Sequence, residues 1–199
     1  MKRSLTKRLA ALALAALLAV SATACGGNGA ASGSGSQDSA QNTSGSQTET
    51  SGPIVLTDQA GREVTLEGPA QTLVSCYYIT TYATIALGVD DRVVGLENKP
   101  ESRPIYQMAA PELLEQASVG SLKEFNVEAA AALDPDLVIM PLKLQDYAAA
   151  LEELDIPVLI VNPESHDLLV EMLTLIGKAC GVEERAKELT DYYGEQLSR

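Results

Sequence analysis

The chain has no tryptophan, one phenylalanine, one histidine and three cysteines among its 199 residues. One histidine excludes a multi-histidine metal centre. Three cysteines, with no C-x-x-C pair and no Cys/His cluster, are too few for a disulfide scaffold or a zinc module. Positive charge is also scarce: 14 Lys and Arg stand against 27 Asp and Glu, a net of −13. A protein that coats nucleic acid needs a basic stripe, which this composition does not supply. G-x-G-x-x-G, the P-loop and G-x-S-x-G are all missing, and the lone His166 leaves no histidine dyad. The commonest nucleotide-binding and hydrolytic motifs are therefore not written here. What is present is 46% hydrophobic residues. That is enough for a core of one ordinary domain of about 150 residues, with a tail to spare.

The tail comes first. Lys2, Arg3, Lys7 and Arg8 precede an unbroken Ala/Leu run from Leu9 to Val20, and small residues lead to Cys25. A charged start, a short apolar stretch and small residues make a secretory signal over residues 1–24. The apolar run is too short for a membrane span, which needs roughly 20 residues. Ala22-Thr23-Ala24-Cys25 resembles a bacterial lipobox, with Ala22 where Leu is usual, and on that resemblance Cys25 is the lipidated first residue of the mature protein. Removing the signal takes away four of the 14 basic residues and no acidic one, leaving a net of −17.

Residues 26–52 are Gly, Ser, Ala, Gln, Asn and Thr with almost nothing apolar. Such a stretch cannot bury enough surface to offset its ordering entropy. It reads as a polar tether with an r.m.s. reach of roughly 30 Å. With the lipid on Cys25 it would hold a folded domain just off the outer face of a cell membrane. The length of the tether suits a Gram-positive surface.

From residue 53 onward, strand and helix patterns alternate. Ile54–Thr57 and Glu63–Leu66 flank Asp58-Gln59-Ala60-Gly61 as a β-hairpin. Further strands are expected at Thr72–Ser75, Arg92–Leu96, Leu137–Met140 and Pro157–Val161. Helices are expected over Thr80–Leu87, Pro111–Gln116, Asn126–Leu133, Gln145–Leu154, Asp167–Ala179 and Glu183–Leu197. The order predicts an α/β fold of βαβ units, with a mostly parallel sheet flanked by helices. In such sheets ligands sit beyond the carboxyl ends of the strands. That rule selects five loops: Ser75–Thr80, Glu97–Arg103, Gly120–Phe125, Pro141–Gln145 and Asn162–His166.

Three stretches carry a resemblance. Asp58-Gln59-Ala60-Gly61-Arg62-Glu63-Val64 resembles a D-x-x-G-R-x-V hairpin. Thr72–Gly95 resembles the following strand–loop–helix–strand unit. Val119-Gly120-Ser121, Asn126-Val127-Glu128 and Ala132-Leu133-Asp134-Pro135-Asp136-Leu137-Val138-Ile139 resemble its next motif, and Leu151–Val158 completes the pattern. Together they resemble the substrate-binding proteins of ABC importers for iron–siderophores, heme and cobalamin. The resemblance covers residues 53–199. It implies two Rossmann-like lobes joined by one long helix, with ligand held between them. Residues 53–181 then form the N-terminal lobe and 182–199 the start of the interlobe helix. The C-terminal lobe is absent from this sequence, which reads as an N-terminal half, with a stand-alone half-cleft as the other reading. It further implies capture of a metal chelate without chemistry, delivery to an ABC permease and its ATPase, and no cofactor beyond the N-terminal lipid.

Candidate ligand contacts follow from the five loops. Tyr77 and Tyr78 can stack on a macrocycle or donate phenolic hydrogen bonds, and Thr80 and Asn162 stand on the same side. Lys99, Arg103, Lys123 and Lys143 fall in or beside these loops in a domain poor in positive charge, and would attract an anionic chelate. Arg103, Lys123 and Lys143 are the candidates retained. By the resemblance, Glu128 lies on the outer face and pairs with an Arg of the permease. Its plainer role is to support the helix dipole. His166 is read as a polar residue of a first helical turn, not an iron ligand. Phe125 is either a cleft wall or a core plug. Cys76 and Cys180 are read as free. An exported enzyme and a ligand-free interaction module on the same scaffold remain as alternatives.

Overall fold

The computed structural model describes residues 52–198. The readings of the signal peptide, of Cys25 and of the tether through residue 51 lie outside the described residues. β1 (Ile54–Thr57) and β2 (Glu63–Leu66) pair antiparallel, with Ile54 opposite Leu66. The main sheet holds β3 (Leu73–Ser75), β4 (Val93–Leu96), β5 (Ala117–Ser118), β6 (Leu137–Pro141) and β7 (Val158–Val161). All its pairs are parallel, and the spatial order is β5-β4-β3-β6-β7.

Side-chain alternation splits the core in two. Leu73, Leu137, Ile139, Leu159 and Val161 join one apolar cluster. Val74, Val138, Met140, Val158 and Ile160 join the other. Successive strand residues point to opposite faces, so a strand buried on both sides reads as a continuous apolar run. The first face is covered by α1 (Tyr78–Leu87) and α5 (His166–Cys180), through residues such as Leu87, Met172 and Ile176. The second is covered by α3 (Val127–Ala132) and α4 (Ala148–Glu152), through Ala130, Ala148 and Leu151. Fully burying each large aliphatic side chain stabilises the lobe by about 1.5–3 kcal/mol.

Helix ends follow local chemistry. Asn126 Oδ1 accepts from Ala129 N at 2.9 Å, and Ser165 Oγ accepts from Leu168 N at 3.2 Å. α1 and α5 both stop at a left-handed glycine, Gly88 and Gly181. Two helices differ from expectation. Pro111–Glu115 is a 3₁₀ turn, and the helix before it, α2 (Pro104–Ala109), starts with a proline in its first turn. The stretch read as one helix from Gln145 divides into a 3₁₀ turn at Leu142–Tyr147 and the short α4.

The hairpin motif acts as a clamp on the edge strand β7. The Asp58 carboxylate is buried and accepts from the backbone N–H groups of Ala60, Arg62 and Ile160. Arg62 donates to Asp58 at 2.9 Å, to the Val158 carbonyl at 2.8 Å and to Glu152 at 2.8 Å. Gln59 N donates to the Ile160 carbonyl, and Gln59 Oε1 accepts from Asn162 N at 2.6 Å. An open edge would otherwise present unpaired backbone groups. A second clamp explains the Pro135-Asp136 stretch. Asp136 Oδ2 accepts from Gln71 N and Thr72 N, and Thr72 Oγ1 accepts from Asp136 N.

α6 (Glu183–Leu197) is charged, with Ala186 its buried residue. It lies against α5 where Ala186 faces Gly177, whose lack of a side chain permits the approach. Arg185 Nε donates to the Ala86 carbonyl at the end of α1. Among the described residues no helix is long and apolar enough to cross a membrane.

Candidate functional site

Three of the five parallel strands, β3, β4 and β5, lead into a cavity of about 270 Å³. Its wall is built from three loops. Cys76 and Tyr77 follow β3, with Tyr78 opening α1; Glu97, Asn98 and Arg103 follow β4; Ser121, Leu122 and Lys123 follow β5. Tyr77 and Leu122 also line a smaller neighbour of about 120 Å³, which Lys143, Asn162 and Glu164 complete beyond β6 and β7. Six of the seven ligand-contact candidates thus come together: Tyr77, Tyr78, Arg103 and Lys123 on the first cavity, Lys143 and Asn162 on the second.

Thr80 does not. It is buried, with its hydroxyl 2.6 Å from Ser75 Oγ and donating to the Tyr77 carbonyl at 2.6 Å. One helical turn separates its side chain from the loop, so it points into the lobe and braces the Tyr77 backbone from behind.

The tyrosines make an aromatic ladder. Tyr77 meets Tyr78 edge-on at 4.6 Å between centroids, and Tyr78–Tyr82 and Tyr82–Tyr106 follow at 5.6 Å each. The Arg103 guanidinium lies 4.2 Å from the Tyr78 centroid. Burial, then the adjacent Tyr78 hydroxyl, pushes the Tyr77 phenol up to about 12, so it stays protonated and able to donate. Burial, then the charge of Glu97, pushes the Cys76 thiol upward, which makes it a poor nucleophile.

Glu97 is a feature that sequence reasoning did not single out. It is only 7% exposed, and it accepts from Tyr106 Oη at 2.6 Å and Thr81 Oγ1 at 2.9 Å. Thr81 Oγ1 in turn lies 2.8 Å from Ser75 Oγ. The signal available was a glutamate directly after the apolar Val93-Val94-Gly95-Leu96, where an exposed loop residue is the ordinary reading.

The remaining candidates fall elsewhere. Glu128 is exposed in the first turn of α3. Phe125 is a core plug, 7% exposed and 5.4 Å from Tyr147. His166 opens α5 and stacks on Tyr193 of α6 at 4.8 Å. Cys76 and Cys180 are free and buried. Among the described residues no group of three or more His, Cys, Asp and Glu is placed to hold a metal ion.

The parallel α/β lobe thus carries a cationic, aromatic-lined opening at its strand ends. Residues 73–197 match the family described as periplasmic binding protein, and the chain belongs to that family. A Bacillus subtilis (strain 168) relative, the uncharacterized ABC transporter substrate-binding lipoprotein YvrC, is 30% identical over 142 residues, 69% of this chain and 43% of its own. The TroA-like periplasmic binding protein FepB from Veillonella parvula is 28% identical with a TM-score of 0.65, covering 74% of this chain and 48% of that one. A periplasmic solute binding protein from Veillonella parvula DSM 2008 superposes with a TM-score of 0.67 at 24% identity, covering 73% and 46%. Other proteins sharing the fold bind siderophores, heme or vitamin B12. The chain spans less than half the length of these three relatives.

Proposed function

We propose that this chain is the ligand-capturing N-terminal lobe of an extracytoplasmic receptor that takes up a metal chelate and delivers it to an ABC permease and its ATPase. The observation that carries the reading is the gathering of Tyr77, Tyr78, Arg103 and Lys123 on one cavity, with Lys143 beside it. Cations in an otherwise acidic lobe attract an anionic chelate such as an iron–siderophore. The two tyrosines equally suit the face of heme or a corrin ring. The receptor binds without turning over its ligand, Glu128 on the outer face meets the permease, and the lipid on Cys25 keeps the lobe at the membrane. Calorimetric titration of the chain with ferric citrate, hemin and cyanocobalamin tests the reading. Saturable binding of at least one, weakened by Lys143→Glu or Arg103→Ala, is the expected result. Saturation by none of the three, and none by ferrioxamine B, overturns it.

A further inference from the structure

Glu97 occupies an unusual electrostatic position. Glu97 lines the cavity and is nearly excluded from water. No ion pair among the described residues includes it. Its two hydrogen bonds come from neutral hydroxyls, one to each oxygen. An ionised carboxylate has about four acceptor sites, so about two remain unfilled. Burying a charge without a countercharge is costly, and a neutral residue of the same shape would serve the fold better.

Cations stand in the same wall, but none is paired with Glu97. Arg103 lies over the Tyr78 ring, and Lys123 is exposed on the tight turn after β5. The cavity therefore has a positive rim and a negative floor. A purely anionic ligand satisfies the rim and is repelled by the floor.

We infer that Glu97 is a specificity-determining binding residue, which selects a chelate carrying a cationic or multiply donating arm in addition to the part held by Arg103 and Lys123. The inference rests on the receptor reading above and narrows its ligand class. Tyr106 and Thr81 then act as positioning residues, since each holds one carboxylate oxygen and leaves its remaining acceptor capacity for the ligand. The ladder from Tyr106 through Tyr82 to Tyr78 ties that floor to the rim.

The test uses the 199-residue chain, its Glu97→Gln variant and two ferric probes. Ferrioxamine B carries an arm ending in an ammonium; ferric citrate has none. Glutamine keeps the shape and can still bond Tyr106 and Thr81. The variant is expected to bind ferrioxamine B about tenfold more weakly, the loss of one charge-assisted contact. It is expected to bind ferric citrate more tightly, because a like charge has gone. Its Tm is expected to rise by about 2–4 °C, since an uncompensated buried charge has been removed. The opposite signs for the two probes are the signature of recognition. Two shifts of the same sign, no shift, or a lowered Tm would mean that Glu97 serves the fold, and would overturn the assignment. A wild-type chain that binds ferric citrate but not ferrioxamine B also overturns it. Failure of the wild-type chain to bind ferric citrate, hemin, cyanocobalamin or ferrioxamine B removes the receptor reading itself, which separates the two failures.

Discussion

Arg103 rests its guanidinium 4.2 Å above the Tyr78 ring, on the rim of the cavity. The contact orders a long cation without consuming its hydrogen-bond donors, because the ring face offers electrostatic attraction and no acceptor atom. Arg103 therefore stands preorganised for a carboxylate or catecholate oxygen.

Replacing Tyr78 with Leu keeps apolar bulk and removes the π face. A cation–π contact contributes about 0.5–2 kcal/mol. The affinity for ferric citrate is expected to fall by a factor of about 2 to 30, with little change in Tm. Calorimetry on Tyr78→Leu checks this; an unchanged Kd would show that Arg103 needs no support from the ring.

Arg62 is expected to matter for stability and not for binding. Its removal leaves the buried Asp58 charge without its cation and strips a donor from the Val158 carbonyl. Breaking a buried pair costs about 3–5 kcal/mol. Arg62 is itself 30% exposed, so about 2–3 kcal/mol is the expected loss for Arg62→Ala after screening. Urea unfolding reads it directly, and a midpoint shift below about 0.5 kcal/mol would mean that the hairpin does not secure β7.

The two buried thiols set an alkaline limit. Burial raises Cys180 from 9.0 to about 11, partly offset by Arg92, and raises Cys76 further. A thiol whose pKa is raised on folding binds its proton more tightly in the folded state. Its contribution is complete below pH 9 and is lost as pH rises through the folded value, the Cys180 share going between about 9 and 11. Thermal unfolding at pH 8, 9.5 and 11 is expected to show Tm falling over that window, and Cys180→Ala should flatten the fall. A Cys180→Ala profile as steep as the wild type would exclude the thiol as its cause.

Substitution at Glu128 offers a test that separates docking from capture. The residue is exposed on α3 and lines neither cavity described at the strand ends. In the full-length receptor, Glu128→Arg is expected to abolish cellular uptake while leaving the Kd for ferric citrate within about twofold. Weakened binding, or uptake at the wild-type rate, would remove Glu128 from the permease contact.

The inner strands were legible because both faces of the sheet are covered there; β5, two exposed residues long, was not. Leu137–Met140 and Val158–Val161 are continuous apolar runs, and nothing but a buried strand suits that length. α2 escaped because Pro104 and Pro111 bracket a segment too short to display helical periodicity. Gln145–Leu154 misled because a 3₁₀ turn leading into a short helix carries the same apolar spacing as one longer helix. Most of the site could be read from topology, since strand ends collect loops and the loops carried the few cations. Glu97 and Thr80 could not. Burial of a polar residue is decided by what packs over it, here Tyr106 from the unforeseen α2 and the hydroxyls of Ser75 and Thr81. None of those partners is near Glu97 in a way that the sequence alone displays.

The meeting of Gly177 and Ala186 has a mechanical consequence. Where Gly177 has only a hydrogen, α6 seats directly on α5. Ala186 stands near the start of a 15-residue helix, which is about 22 Å long. The contact is a fulcrum and the helix a lever: a tilt of about 5° there carries the far end, about 16 Å away, about 1.4 Å sideways. A single added methyl at Gly177 would overlap the Ala186 side chain and is thus large on that scale. The direction of α6 is set by this seat together with the His166–Tyr193 stack and the Arg185 bond to the Ala86 carbonyl, all within the lobe.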